Sequence, residues 1–321
     1  MSQGLSLLFV VDPLDALKAY KDSTVAMMRE AARRGHDVWT CLQPSLRWRD
    51  GKVTAHCTLL ALSADNAHWY APQEEGEHDL AEFDAVLMRK DPPFDAEYLY
   101  STHLLEAAQR AGARVFNAPR ALRDHNEKLA ITEFAEFAVP TLVSREPAAL
   151  RAFHAEFGDI VVKPLDGMGG TSVFRLKRDD PNLNVILETI TELGTRTVMA
   201  QRFIPEIKDG DKRVLLIAGE AVPYALARIP KPGESRGNLA AGGTGRAQPL
   251  SEHDRAIAAR LGPVLAARGL LLVGLDVIGR HLTEVNVTSP TCFVEIAEQT
   301  GFNVAGMFID ALERAIAKDS A

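Results

Sequence analysis

The chain has 321 residues, a net charge of −7, 46% hydrophobic residues and 25% charged residues. That length exceeds what one core usually organises, so two or three compact units are expected from a composition typical of globular proteins. The acidic balance gives no support to nucleic-acid binding, no run approaches the roughly 18 apolar residues of a membrane span, and the odd set of three cysteines without a CxxC (Cys41, Cys57, Cys292) points to a reducing cytoplasm and away from zinc or disulfides.

The N-terminus reads as a strand entering a turn, not as a signal peptide. Residues 5–11 form an apolar strand, 22–34 carry helical spacing with Gly35 beyond the end, and 36–42 and 83–90 are further strands. Helical spacing returns over 97–112, and 113–119 is a strand. This alternation implies an open parallel α/β unit. No GxGxxG follows the first strand, so a dinucleotide-binding site is not expected. A second unit begins near Asp124, with helices over 125–137 and 147–157, strands over 159–164 and 171–176, a helix over 182–193 and a strand over 195–204. The third unit opens with a hairpin over 212–229. A long loop (230–249), a helix (252–268), a second hairpin (within 274–290) and a C-terminal helix (302–317) follow.

The second hairpin is the most informative segment. Asp276 interrupts an apolar run, and Glu284 and Asn286 lie two apart, so they share one face of a strand. If Ile278 pairs with Leu282, Asp276 stands directly opposite Glu284, with Cβ atoms roughly 5 Å apart. Two carboxylates so placed repel and lose hydration, so they call for a cation. With the Asn286 amide they form an oxygen-only set suited to magnesium. Gly274 opposite Asn286 should leave space above the sheet. On this reading, removing either charge relieves repulsion in the metal-free protein and holds or raises its melting temperature. Solvated acids on a surface strand are the plainer alternative.

Lys163 ends an apolar strand, where a lysine is costly without an anion. It precedes Gly167, Gly169 and Gly170, whose backbone amides can converge on phosphate. No GK[ST] follows, so this is not a Walker loop but a glycine flap, or simply a hairpin turn. Lys128 lies early in the 125–137 helix after the candidate caps Asp124 and Asn126, where a phosphate would offset the unfavourable dipole. Asp211 and Arg213 alternate at a strand entry, and Arg228 ends a strand of the same sheet. Either arginine can hold a carboxylate or phosphoryl group, or form an ordinary salt bridge. The loop over 230–249, with Arg236 and Asn238, is long and glycine-rich, which suits a lid as well as a disordered linker.

The strings LMRKDPPFD (87–95), RDHNEKL (123–129), KPLDGMGG (163–170), IKDGDKRVL (207–215), ARIPKPGESRGNLAAGG (227–243) and LTEVNVTSPT (282–291) together resemble bacterial glutathione synthetase, within the ATP-grasp superfamily. The resemblance spans almost the whole chain. It implies an α/β (α+β ATP-grasp) fold: an N-terminal open parallel α/β substrate domain (1–122), a central lid domain (123–204) and a C-terminal ATP-grasp catalytic domain with an antiparallel sheet (205–321). It implies that Lys128, Lys163 and the flap glycines hold ATP phosphates, that the backbone of Gln201, Arg202, Phe203 and Ile204 receives adenine, and that Asp211 holds the ribose. Asp276, Glu284 and Asn286 match the ligands of Mg2+, or of Mn2+. Arg213, Arg228, Arg236 and Asn238 surround the reacting carboxylate, and Arg89, Arg228, Ser289 and Thr291 contact substrate. Many ATP-grasp enzymes carry glutamate at the hinge where this chain has Gln201, so backbone contacts alone are expected there.

The implied reaction joins γ-glutamylcysteine to glycine through an acyl phosphate, with ADP and phosphate released, in a cytoplasmic homo-oligomer, a tetramer by resemblance. It needs positioning and charge neutralisation rather than a nucleophilic side chain, so no cysteine has a covalent role. Two rivals are a related ligase with another substrate and a nucleotide-binding regulator without catalysis.

Overall fold

The computed structural model describes residues 4–319 apart from 235, 238, 240 and 241. The first sheet holds β1 (Ser6–Val11), β2 (Asp37–Leu42), β3 (Arg47–Arg49), β4 (Lys52–Leu62), β5 (Tyr70–Asp79), β6 (Ala85–Met88) and β7 (Val115–Phe116). Its centre, β2-β1-β6-β7, is parallel. β1 is paired on both sides and covered on both faces, which is why SLLFVV reads as an almost unbroken apolar run. Helices α1 (Ser23–Arg33) and α2 (Ala96–Arg110) start on aspartate caps: Asp22 accepts from the amides of Thr24 and Val25, and Asp95 from that of Tyr98. An antiparallel extension, β3 and β5 on β4, completes the sheet. The local sequence does not mark β5, because YAPQEEGEHD, with Pro72, Gly76 and several glutamates, has poor strand propensity and is held by pairing with β4.

A short helix α3 (Pro119–Asp124) leads to the second unit. The expected α-helix over 125–137 is instead a run of 3-10 turns, Leu129–Phe137, broken where buried Phe134 leaves helical dihedrals. The second sheet is antiparallel, ordered β10-β9-β11-β8: β8 (Thr141–Ser144), β9 (Asp159–Pro164), β10 (Phe174–Lys177) and β11 (Val198–Arg202). β10 starts three residues later than expected, because 171–173 belong to the glycine turn. Helices α4 (Pro147–Phe157) and α5 (Leu183–Ile190) back this sheet.

The third sheet runs β14-β13-β12-β15-β16, all antiparallel: β12 (Asp211–Ile217), β13 (Glu220–Ile229), β14 (Thr244–Pro249), β15 (Leu272–Ile278) and β16 (His281–Asn286). The last six residues of the expected long loop are therefore the edge strand β14. Helix α6 (Glu252–Ala267) begins with a capping box between Ser251 and Asp254. Helix α7 (Phe293–Thr300) precedes α8 (Val304–Asp319). No start signal marks α7 in the sequence, because its cap is Cys292, held at a φ of 87° without a side-chain cap bond, and not a Ser, Thr, Asp or Asn.

The first and third sheets share their cores. Leu8, Val10 and Tyr98 pack in one cluster with Val214, Leu261 and Leu275, and Phe9 and Met28 join Leu215, Phe293 and Phe308 in another. One face of the second sheet has a separate small core of Leu150, Ile160, Val162, Leu176, Leu187, Ile190, Val198 and Ala200, while Met199 of β11 joins the first shared cluster.

Candidate active site

Strand register assembles the charged cluster. Asp211 stands opposite Arg228, Arg213 is beside Asp276, and Asp276 is opposite Glu284. The hairpin reaches this last pairing by a different route from the expected one. Ile278 pairs with His281, and a bulge at Thr283 inserts the residue that restores Asp276 to Glu284 and Gly274 to Asn286. The bulge has a second effect: the freed carbonyl of Thr283 accepts from Lys163 Nζ at 3.2 Å.

The opposed carboxylates do not face one another across a bare gap. Asp276 is buried and takes Arg213 Nε at 2.6 Å on Oδ1 and Arg213 Nη2 at 3.2 Å on Oδ2, where Arg228 Nη2 also lies at 2.9 Å. Burial alone would raise its pKa, but the two guanidiniums overcome this and hold it well below the usual carboxylate range. Glu284 turns the other way, 3.4 Å from Lys163 Nζ and 3.6 Å from Lys128 Nζ. The compensating cations are thus four side chains of the protein. The expected space above Gly274 is also filled: a Cβ there would meet Arg213 Cδ at 2.9 Å, so the glycine lets the arginine lie across the strand.

Arg228 also donates to Asp211 Oδ2 at 2.6 Å, while Asp211 Oδ1 is buried without a partner. Burial, then the negative charges of Asp276 and Glu284, push the Asp211 carboxyl up to about 6 against the pull of Arg228 and Arg213. Lys163 is shifted down by burial and by repulsion from Lys128, against the attraction of Glu284. Lys128 Nζ donates to Gly167 O at 2.6 Å and ties the flap to the 3-10 segment. Gly169 and Gly170 have φ of 63° and 80°, a backbone that other residues rarely adopt.

Two clefts meet at this cluster. Gly167, Met168, Gly169, Asp276 and Glu284 line both. Lys128, Lys163, Gly170, Gln201, Arg202, Phe203, Ile204, Asp211 and Arg236 line the first cleft, together with Val161, Val173, Ile207 and Ile278. The hinge backbone is braced: Arg202 N donates to Pro140 O, Phe203 N to Asp159 O, and Gln201 Nε2 to Thr141 Oγ1. Arg175, bidentate to Asp159, lies 3.5 Å over the Phe203 ring. Arg213, Arg228, Asn286, Ser289 and Thr291 line the second cleft, with Lys18, Lys21, Asp91 and Glu295.

Not every expected site residue converges here. Arg89 is buried away from the second cleft and donates to Thr24 Oγ1 and Pro290 O, so it supports the 289–291 turn from behind. Arg236 pairs with Glu234 at 3.1 Å and lines the first cleft, not the second that Arg213 and Arg228 line. Asn238 lies outside the described residues. Sequence reasoning overlooked Asp91, which accepts from Ser289 Oγ at 2.5 Å, although it stands two places after Arg89 in the same string. It also overlooked Lys18, Lys21 and Glu295, which belong to no pattern of spacing.

Metal ligation can be tested on the donors. Among the described residues no three His, Cys, Asp or Glu side chains form a metal-holding group. The set here is two carboxylates and an amide. Asn286 spends its Nδ2 on Gly274 O at 3.2 Å, which leaves its oxygen for another partner, and Glu284 is the less buried carboxylate. These oxygens on one sheet face fit a hard divalent cation.

The N-terminal domain profile of prokaryotic glutathione synthetase matches residues 5–123, and that of its ATP-grasp domain matches 127–301. A glutathione synthetase of Ralstonia nicotianae is 63% identical over 316 residues, 98% of each chain. The chain belongs to the prokaryotic glutathione synthetase family. Another member, from Nitrosomonas europaea, is 60% identical over 98% of this chain and 99% of its own. Among solved structures, the D-cycloserine synthetase DcsG superposes with a TM-score of 0.68 at 18% identity, covering 97% and 99% of the two chains. The ATP-grasp ligase PsnB gives 0.61 at 19%, covering 97% and 98%. These two share the fold. Membership in the glutathione synthetase family makes the chain an ATP-dependent ligase acting on small molecules with a divalent metal. No helix among the described residues is long and apolar enough to cross a membrane.

Proposed function

We propose that the chain joins the cysteinyl carboxylate of γ-glutamylcysteine to the amine of glycine, with ATP converted to ADP and phosphate. The observation that carries this reading is the shared wall of the two clefts, where two lysines and two arginines surround Asp276 and Glu284. ATP occupies the first cleft. Its adenine rests against Val161, Ile204 and Ile278 and meets the backbone of Gln201 to Ile204. The oxygen of Asp211 that lacks a donor takes a ribose hydroxyl, and Lys128, Lys163 and the amides at Gly167, Gly169 and Gly170 take the phosphates. The dipeptide occupies the second cleft near Ser289 and Thr291.

The peptide carboxylate attacks the γ-phosphorus, which releases ADP and leaves an acyl phosphate. Glycine's amine then attacks the acyl carbon and displaces phosphate. Arg213 and Arg228 face the carboxylate end and neutralise charge there in a water-poor cleft. Glu284, Asn286 and Asp276 hold the divalent cation, which supplies charge neutralisation at the phosphates when bound. An oxygen-only set favours Mg2+, with Mn2+ as a substitute. The described part of the 230–249 loop, with Arg236 on the first cleft, covers the intermediate and keeps water away.

We further propose the division into units at 1–122, 123–204 and 205–321, a cytoplasmic location consistent with three free buried thiols, and a homotetramer as the family resemblance implies. The deciding experiment measures ADP release by the purified protein with γ-glutamylcysteine, with and without glycine, and with other acceptors. Rapid ADP release that requires both substrates, with glutathione formed in equal amount, is expected. Preference for another dipeptide or for glutamate would favour a different ligase. ATP binding without turnover on any substrate would favour a regulator.

A further inference from the structure

We infer that Glu127 is a positioning residue that fixes Lys128 opposite Glu284 by clipping the 126–128 segment to the free edge of β16. This rests on the reading of Lys128 as a phosphate ligand. β16 ends its sheet, so the outward amides of Val285 and Val287 have no neighbouring strand to meet. Glu127 satisfies both. Its backbone carbonyl accepts from Val285 N at 2.8 Å, and its Oε1 accepts from Val287 N at 2.9 Å, Thr288 N at 3.1 Å and Thr288 Oγ1 at 2.8 Å. One residue thereby replaces the ladder contacts of a missing strand, and orphaned edge donors would otherwise be costly.

The side chains of Glu284 and Asn286 alternate with Val285 on the same strand and face the cleft. The clip therefore acts on the element that carries the proposed metal ligands. On its other side, Asn126 Oδ1 accepts from the amides of Lys128 and Leu129 at 3.2 and 3.0 Å, and its Nδ2 donates to Leu165 O at 3.2 Å. Lys128 then reaches Gly167 O and Glu284. Three consecutive residues thus join the catalytic sheet to the root of the flap. Glu127 sets the separation between the Lys128 ammonium and Glu284 without being a phosphate ligand itself.

The test compares Glu127→Ala, Glu127→Gln, Thr288→Val, Lys128→Met and the double variant Glu127→Ala/Lys128→Met. The KM for ATP is read at saturating peptide, glycine and magnesium, and circular dichroism monitors the fold. Loss of an outer contact of this kind costs on the order of tenfold, so Glu127→Ala should raise the KM for ATP by about tenfold. Glu127→Gln keeps an acceptor oxygen and should recover most of that loss. In the Lys128→Met background the alanine change should add no more than about twofold, the scatter expected when one residue acts through the other. A normal KM in Glu127→Ala, equal impairment in the glutamine variant, or a full tenfold multiplication in the Lys128→Met background would each overturn the inference. Should Glu127→Ala not fold, Thr288→Val removes one donor only. It must raise the KM in a way that vanishes with Lys128→Met, and no rise refutes the clip. A normal KM in Lys128→Met alone removes the phosphate assignment of Lys128, and this inference with it.

Discussion

Replacement of Asp276 by asparagine separates two accounts of the charged hairpin. If the carboxylate pair were a store of repulsion, the neutral variant would be more stable without metal. The geometry gives the opposite sign. Asp276 is buried against Arg213 and Arg228 through contacts of 2.6, 3.2 and 2.9 Å, so the substitution leaves a buried guanidinium pair short of its counter-ion. Breaking one partner of a buried pair costs about 3–5 kcal/mol. At the scale of large domains this lowers the melting temperature by on the order of 5 °C or more. Glu284→Gln is the control. Its contacts, at 3.4 and 3.6 Å, are longer and its side chain is part-exposed, but Lys128 and Lys163 are buried, so its cost should be measurable and smaller than that of Asp276→Asn. Scanning calorimetry without nucleotide or metal at neutral pH measures both. Because the folded pKa of Asp276 is depressed, its contribution is complete above the ordinary value of 3.8 and is lost only as pH falls below that value. The deficit of the asparagine variant should therefore be constant from neutral pH down to about 4 and shrink only beyond. A variant that melts at or above the parent temperature at neutral pH would refute the counter-ion argument. Both variants should lose most ligase activity.

Lys163→Met should retain the fold, because burial already disfavours the ammonium, and should weaken ATP binding by about tenfold or more in calorimetry; unchanged affinity would place the phosphates elsewhere. Exchange of residues 234–243 for a short Gly-Ser linker should leave ATP binding largely intact while raising ADP release per glutathione formed, and a one-to-one ratio at normal rate would make the segment a plain connector. Glu30, held by Arg33 and then Arg34, has its carboxyl lowered to about 2. Its stabilisation is present above the ordinary value of 4.5 and disappears as pH falls toward about 2, so the melting gap between parent and Glu30→Gln should close across that window, and a gap independent of pH would contradict the pairing.

Much of this arrangement was legible in the chain because its chemistry breaks local rules. Asp276 in an apolar strand, Lys163 at the end of another and three flap glycines are each costly without a ligand or partner, and all of them meet at the two clefts. What stayed hidden depends on long-range pairing. The bulge at Thr283 leaves no mark in composition, yet it decides which residue opposes Asp276. β5 is a strand by virtue of β4 alone. The arginine counter-ions of Asp276 come from two earlier strands, Arg213 on β12 and Arg228 on β13, so a local reading of the hairpin sees only the need for a metal. Arg89 entered as a substrate contact through the family resemblance alone, and its bonds to Thr24 Oγ1 and Pro290 O depend on contacts 65 and 201 positions away that no local pattern marks.

The separate core of the second sheet gives the molecule two energetic scales. The eight residues gathered around Leu187 share no buried member with the clusters that join the first and third sheets, although Met199 on the other face of β11 lies in one of those clusters. Amide hydrogens of β9 and β10 should then exchange through a cheaper opening than those of β1 or β15, and nucleotide bound as proposed above should slow that opening in proportion to its occupancy. Substitutions that loosen the small core will be felt first as a weaker grip on ATP, well before they register as loss of the folded chain. Nucleotide supply and the integrity of this sheet are therefore linked quantities, and selection on one constrains the other.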